Sequence, residues 1–329
     1  MTASATAPAK DAARKGPERS TTVVDARGLT KRYESVVAVD GLDLKLREGE
    51  IFGLLGPNGA GKTTTILMLM GLTEPTAGDV RVLGFDPRHE PLEVKRRVGY
   101  LPEHVALYDD LSARSNLLYT ADLNGIRGQE ARDIAESALE RVALADMADR
   151  KVRELSHGMR QRLGIADVLV KRPRLIVLDE PTLGLDPVAV EQLLDLILRA
   201  AREEGITVLL SSHQLMQVQR ICDRVGIFAR GKMVASGPIA ELAEQLAEGL
   251  TVIELGAEAD AAQVADALRA VRGVVDVMRE GALWRVRAHG DVRPQLARAV
   301  IDRGWPLAHL RLRDFGLEEI YLRYFERTS

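Results

Sequence analysis

Nine consecutive residues, Gly56-Pro57-Asn58-Gly59-Ala60-Gly61-Lys62-Thr63-Thr64, set the chemistry open to this chain. Gly, four residues, then Gly-Lys-Thr is the spacing of a phosphate-binding loop. Its glycines let backbone amides turn inward around an anion, and the helix that follows adds its positive end. In that role Lys62 reaches the outer phosphates of a nucleoside triphosphate, and Thr63 places its hydroxyl on Mg2+. Two carboxylates farther along could share the site. Asp179 ends the apolar run Leu175-Ile176-Val177-Leu178, which suits a magnesium ligand, and Glu180 beside it suits a general base for an attacking water. Taken alone, the Asp-Glu pair would serve equally well as a turn or helix cap.

These residues need particular elements to hold them. Ile51-Phe52-Gly53-Leu54-Leu55 reads as a buried strand before the loop, and Thr65 to Met70, stopped by Gly71, as the helix after it. Upstream, Val23–Arg27, Val36–Val39 and Leu42–Leu46 read as short antiparallel strands punctuated by Asp40-Gly41 and Glu48-Gly49. Strands at Asp79–Gly84 and Arg97–Leu101 follow the loop helix, the second stopped by Pro102. From His104 the pattern turns helical. Ser112 caps a helix to Asn124, a second runs from Gln129 to Val142, and Ser156 caps a third, giving a helical subdomain over about 104–170. Leu175–Leu178 reads as a central parallel strand, and α/β alternation continues through helix Val188–Ala201, strand Ile206–Leu210, helix Gln214–Cys222 and strand Val225–Ala229. After Gly249 the order is β-α-β-β-α-β, that of a ferredoxin-like unit, closed by an aromatic helix Leu317–Glu326 expected to pack on its own domain or on a copy of it.

The whole chain bounds the reading. Its 329 residues suggest two folded domains, and a net charge of −3 gives no basic field for nucleic acid. One cysteine, Cys222, excludes an internal disulfide framework and a CxxC metal pair, and suits a small apolar packing role. No apolar run reaches the ~18–20 residues that span a bilayer, so membrane association is expected through a partner. Residues 1–22 read as a disordered tail, 23–248 as the nucleotide domain and 249–329 as an accessory domain.

Three further stretches carry a family resemblance: Leu155-Ser156-His157-Gly158-Met159-Arg160-Gln161-Arg162, Pro181-Thr182-Leu183-Gly184-Leu185-Asp186-Pro187 and Ser211-Ser212-His213. Ser156 lies 23 residues before Asp179, and His213 lies 33 after Glu180. With the phosphate loop and the Asp-Glu pair, in this order and at these spacings, the chain from about 23 to 247 resembles the ATP-binding cassette (ABC) ATPases. The resemblance implies a phosphate-loop NTPase fold of ABC type, a mixed sheet core with an antiparallel β subdomain and a helical subdomain. It implies ATP and Mg2+ as cofactors. Tyr33 would stack on adenine, and Gly56, Asn58, Gly59, Ala60, Gly61, Lys62, Thr63 and Thr64 would cradle the phosphates. Thr63, Asp179 and Glu103 would serve the metal, with Glu180 the catalytic carboxylate and His213 a switch against the γ-phosphate. Ser156 and Gly158 would cap the γ-phosphate of ATP held by a second subunit, and Asp186 would act across the same interface. A Ser at a helix N-cap followed by Gly offers a hydroxyl, bare amides and a positive dipole end to an anion. If that site faces away from its own phosphate loop, the motif implies a head-to-tail homodimer. The alternatives for single residues are a core tyrosine at 33 and a strand-end cap at 213.

Three positions depart from the family pattern. Leu-Ser-Gly-Gly-Gln is here Leu-Ser-His157-Gly-Met159, and Glu103 stands where Gln is usual; a carboxylate can ligate Mg2+ but cannot donate a hydrogen bond to water. The expected function is the ATPase subunit of an ABC transporter, an exporter by its tail's likeness to daunorubicin-type and gliding-type subunits. It would drive an integral membrane permease on a separate chain from the cytoplasmic face of the membrane, as a peripheral protein and without nucleic acid. Its rivals are a mechanotransmitting ABC ATPase that moves no substrate and a soluble ABC ATPase of translation or DNA repair. The accessory domain is expected to support the dimer rather than to bind a regulatory small molecule.

Overall fold

A computed structural model of the chain describes residues 22–247 and 250–313, with Leu317 and Tyr321 beyond them. The chain opens with two long antiparallel strands, β1 (Thr22–Tyr33) and β2 (Val36–Arg47). Three short strands are expected here, and the structure replaces them with two of 12 residues each. The pair Asp40-Gly41 does not turn the chain. Gly41, at φ +63°, forms an irregularity in the ladder and gives its amide to Thr30 Oγ1 at 3.0 Å. Tyr33 therefore stands at the end of β1.

The chain continues through β3 (Ile51–Leu55), α1 (Lys62–Leu69), β4 (Ala77–Val82), α2 (Pro91–Arg97) and β5 (Val98–Leu101). Helix α2 is not legible in the sequence, because a Pro start and one buried residue, Val94, leave almost no apolar period. Next come α3 (Ala113–Leu123), α4 (Gly128–Arg141) and α5 (His157–Val170), which pack on one another as a helical layer. Ser112 Oγ accepts from the Ser115 amide and so caps α3. The alternation then runs β6 (Leu175–Asp179), α6 (Pro187–Glu204), β7 (Thr207–Ser212), α7 (Leu215–Ile221), β8 (Arg224–Ala229), β9 (Lys232–Pro238) and α8 (Ile239–Ala247).

Strands β2-β1-β4 form one antiparallel sheet and β5-β6-β7-β3-β8-β9 a second, parallel except where β9 turns back on β8. Every residue of β3, β6 and β7 is buried, as strands covered on both faces must be. One apolar cluster joins β3, Ile66 and Met68 to the antiparallel sheet, and another joins the parallel sheet to the helical layer. Cys222 packs against the second, with its Sγ 3.0 Å from where a Cβ on Gly53 would stand.

The rest is β10 (Leu250–Ala257), α9 (Ala261–Arg269), β11 (Val274–Glu280), β12 (Leu283–His289), α10 (Arg293–Ile301) and β13 (Leu307–Arg313). Their sheet order, β11-β12-β10-β13, is that of a ferredoxin-like unit, and its own apolar cluster includes Ile253, Trp284, Val286 and Leu296. Most of the expected closing helix lies outside the described residues. Where the chain is described, it departs from expectation: Leu317 is fully buried, and Leu317 and Tyr321 pack against the nucleotide-domain cluster. The Leu317 amide donates to Gln219 Oε1 of α7 at 3.1 Å. Joining the larger core removes more apolar surface from water than the outer face of a small sheet would.

Candidate functional site

Parallel register brings the site together. Leu55 pairs with Ser212, Leu54 with Ser211, and Asp179 with Ser211. The carboxyl ends of β3, β6 and β7 thus stop at one level, and each releases its motif into the same crevice, where open α/β sheets place ligands. The phosphate loop leaves β3, Glu180 leaves β6 and His213 leaves β7. A cavity of about 200 Å3 opens there, lined by Ala38, Pro57, Asn58, Gly59, Ala60, Gly61, Lys62, Thr63, Thr64, Glu103 and Glu180.

The loop is built for an anion. Among the described residues the amides of Asn58, Gly59 and Gly61 have no acceptor. Gly61 precedes α1 at φ +109°, and a Cβ there would stand 2.5 Å from the Ala38 carbonyl oxygen, so glycine is required on both counts. Lys62 folds back and donates to the Gly56 carbonyl at 2.7 Å. Its Nζ also lies 3.2 Å from Glu180 Oε1, both side chains being more than nine-tenths buried. Glu180 Oε2 lies 2.9 Å from His213 Nδ1. Glu180 thus contacts Lys62 through one oxygen and His213 through the other.

Glu180 is held in an uncommon conformation, at φ +48° without being glycine. A left-handed backbone of this kind costs about 1–3 kcal/mol and persists where its surroundings enforce it. Here Ser211 does so. Its hydroxyl accepts the Glu180 amide at 3.0 Å and donates to Asp179 Oδ1, and its carbonyl oxygen takes the same amide at 3.2 Å. Ser211 thereby positions both carboxylates. Burial, together with the nearby Asp179 charge, pushes the Tyr100 hydroxyl up to about 12.

For a divalent cation the candidate donors are hard oxygens: the exposed Thr63 hydroxyl and Glu103 at the cavity wall, and the Asp179 carboxylate, which is buried and outside the cavity lining. Among the described residues no three His, Cys, Asp or Glu cluster as a protein-only metal cage. A sparse oxygen set of this kind fits Mg2+ held largely by substrate phosphates and water.

The other predicted residues stand apart from the cavity lining. Tyr33 is 44% exposed, with Lys31 Nζ 4.8 Å from its ring centre. Ser156 is exposed and caps α5, its hydroxyl accepting the Met159 amide at 3.3 Å. Asp186 caps α6 through Oδ1, at 3.0 Å from the amides of Val188 and Ala189. Gly158 packs where the two helix starts meet, since a Cβ on it would come 3.1 Å from Ala189 Cβ. One chain thus supplies a phosphate cradle and, separately, two exposed helix N-termini side by side. Sequence reasoning missed Ala38, whose signal is only the demand for Gly61 opposite it. It also missed the double role of Ser211, a small hydroxyl at the end of an apolar strand.

The sequence matches the profile described as ABC transporter over residues 39–183. It is 33% identical to the linearmycin resistance ATP-binding protein LnrL of Bacillus subtilis (strain 168), across 93% of this chain and 99% of that protein. It is 35% identical to the daunorubicin/doxorubicin resistance ATP-binding protein DrrA of Streptomyces peucetius, across 92% of each. Among solved structures it resembles the dimeric post-hydrolysis state of the ATP-binding cassette MJ0796 bound to ADP and phosphate, with a TM-score of 0.61 and 25% identity over 66% of this chain and 98% of that one.

Proposed function

Because the chain belongs to the ABC transporter family of ATP-binding subunits, we propose that it hydrolyses ATP as a head-to-tail dimer and drives a membrane permease carried on a separate chain. The single observation that carries the dimer is the division of the site: the cavity holds the phosphate cradle and Glu180, whereas Ser156, Gly158 and Asp186 face elsewhere. A second copy, turned to set those helix starts on the cradle, completes two sites at once. The dimeric cassette it resembles supports this arrangement.

In each site the loop amides and Lys62 take the phosphates, and Tyr33 offers an exposed ring to the adenine. Thr63, Asp179 and Glu103 would hold Mg2+, which when bound offsets charge on the phosphate oxygens. ATP entry draws Lys62 from Glu180 to the phosphates and leaves that carboxylate free to take a proton from the attacking water. His213, on the far side of Glu180, orients it and can meet the γ-phosphate. Partner Ser156 and the α5 N-terminus stabilise the same phosphate.

The reported relatives are named for resistance to linearmycin and to daunorubicin and doxorubicin, and on that ground we assign this subunit to a drug exporter. Among the described residues no helix is long and apolar enough to cross a membrane; the separate permease of this reading is what places the chain as a peripheral subunit, on the cytoplasmic face. Co-purification of the tagged chain tests the reading: it should bring down a polytopic membrane protein that stimulates its ATPase. Recovery of a nucleic-acid complex with stimulated turnover instead would refute it.

A further inference from the structure

One side chain joins the turn at the start of α5, Leu155-Ser156-His157-Gly158-Met159 (the signature turn), to the loop that follows Glu180. His157 stands just after the N-cap Ser156, and its Nε2 lies 3.0 Å from the Leu183 carbonyl oxygen. A neutral ring protonated on that nitrogen donates this bond. Leu183 in turn gives its own amide to the Glu180 carbonyl at 3.1 Å. Two hydrogen bonds therefore run from the signature turn to the backbone of Glu180, the residue held at φ +48°. Gly184, at φ +72°, holds the loop in a left-handed turn beside the ring, where a Cβ would stand at ordinary contact distance, 3.4 Å from His157 Nε2. A parallel tie comes one turn along α5, where the buried Gln161 donates from Nε2 to the Pro181 carbonyl at 2.7 Å. Glycine at position 157, the usual residue of the family pattern, has no atom with which to make the first tie.

We propose that His157 is a positioning residue that couples the two ATP sites of the dimer, carrying the state of the signature turn to the Glu180 of its own chain. The inference rests on the dimer reading above and adds to it a path within one subunit. In that dimer Ser156 meets the partner's ATP while Glu180 serves its own. A phosphate that draws on the signature turn moves the His157 ring, and the ring takes Leu183 and the Glu180 turn with it. Occupancy at one site is then felt at the other, and coupling between equivalent sites appears as cooperativity in ATP.

Steady-state ATPase of the purified full chain against MgATP concentration tests this, with His157→Gly, His157→Phe and His157→Gln compared with wild type and each thermal midpoint recorded. Wild type should show a Hill coefficient clearly above unity. The Gly and Phe variants should fall to near unity, and Gln, whose amide can donate to the same carbonyl, should restore cooperativity. If Gly proves poorly folded, the contrast between Phe and Gln carries the test. Wild-type cooperativity in both Gly and Phe overturns the proposal, as does a Gln variant as non-cooperative as Phe. Size measurement with ATP in a Glu180→Gln background separates the premises: no dimer refutes the dimer reading, whereas a dimer with a wild-type Hill coefficient of unity refutes the coupling alone.

Discussion

Replacing Glu180 by Gln should both stop turnover and tighten ATP binding, and the second effect follows from the buried Lys62–Glu180 pair. Lys62 Nζ lies between the Gly56 carbonyl at 2.7 Å and Glu180 Oε1 at 3.2 Å. ATP must take Lys62 from that carboxylate. The contact with Glu180 is a buried ion pair; breaking such a pair costs about 3–5 kcal/mol, and Gln keeps the shape while giving up the charge. Weakening the competitor by about 1.4 kcal/mol corresponds to roughly tenfold tighter binding. Removing a negative charge from beside the triphosphate acts in the same direction, since like charges about 4 Å apart repel by ~4 kcal/mol at an effective dielectric constant of 20. Tenfold is therefore a lower bound. Calorimetric titration of both proteins with a non-hydrolysable ATP analogue and Mg2+ measures it. Phosphate release in parallel should fall by about 10²–10⁴-fold, the usual contribution of a positioned base. Equal or weaker binding in Glu180→Gln would refute the competition argument, and turnover within twofold of wild type would remove Glu180 from catalysis.

Glu103→Gln should retain or raise ATPase activity, because it removes a negative charge from the cavity wall and supplies a donor for water; abolished turnover would contradict this. Leu317→Ala should cost about 2–5 kcal/mol in urea unfolding, as expected for a fully buried leucine. A change below about 0.5 kcal/mol, the usual range for surface substitutions, would show that residue 317 is not part of the nucleotide-domain core. Truncation at Gly249 removes this side chain as well, so lost dimerisation in such a truncation does not isolate the accessory sheet. Asp86 is held well below the usual carboxylate range by the Arg88 guanidinium, against desolvation, with the Arg88 amide and His89 assisting. The stability it supplies is present above the unfolded-state carboxylate pKa near ~3.9 and is lost as pH falls through its lower folded value. Asp86→Asn should be less stable than wild type at neutral pH, and the difference should shrink on acidification below about pH 4. A constant difference across that range would rule out the charge contribution.

Much of this molecule is decided by neighbours in sequence. A glycine loop between an apolar run and a helix, a serine at 112 or 156 before a helical period, and the β-α-β-β-α-β order after Gly249 each carry their chemistry within a few residues. Such features are legible because caps, turns and periodicity are short-range. Where the local signal was misread, a long-range contact had overridden it. Asp40-Gly41 looks like a turn, but pairing along the whole of β1 absorbs it as an irregularity. Leu317 looks like part of a separate domain, but the larger core buries it.

The sequence by itself determined which residues could hold a triphosphate, end a strand in carboxylates or cap a helix with serine. Only the tertiary structure decided that Lys62 faces Glu180, that Ser211 serves both carboxylates, and that His157 reaches Leu183. Those partners lie between 26 and 118 residues apart in sequence. No local rule connects them. They meet because parallel pairing of β3, β6 and β7 stops three strands at one level, and strand register is a property of the whole packed sheet.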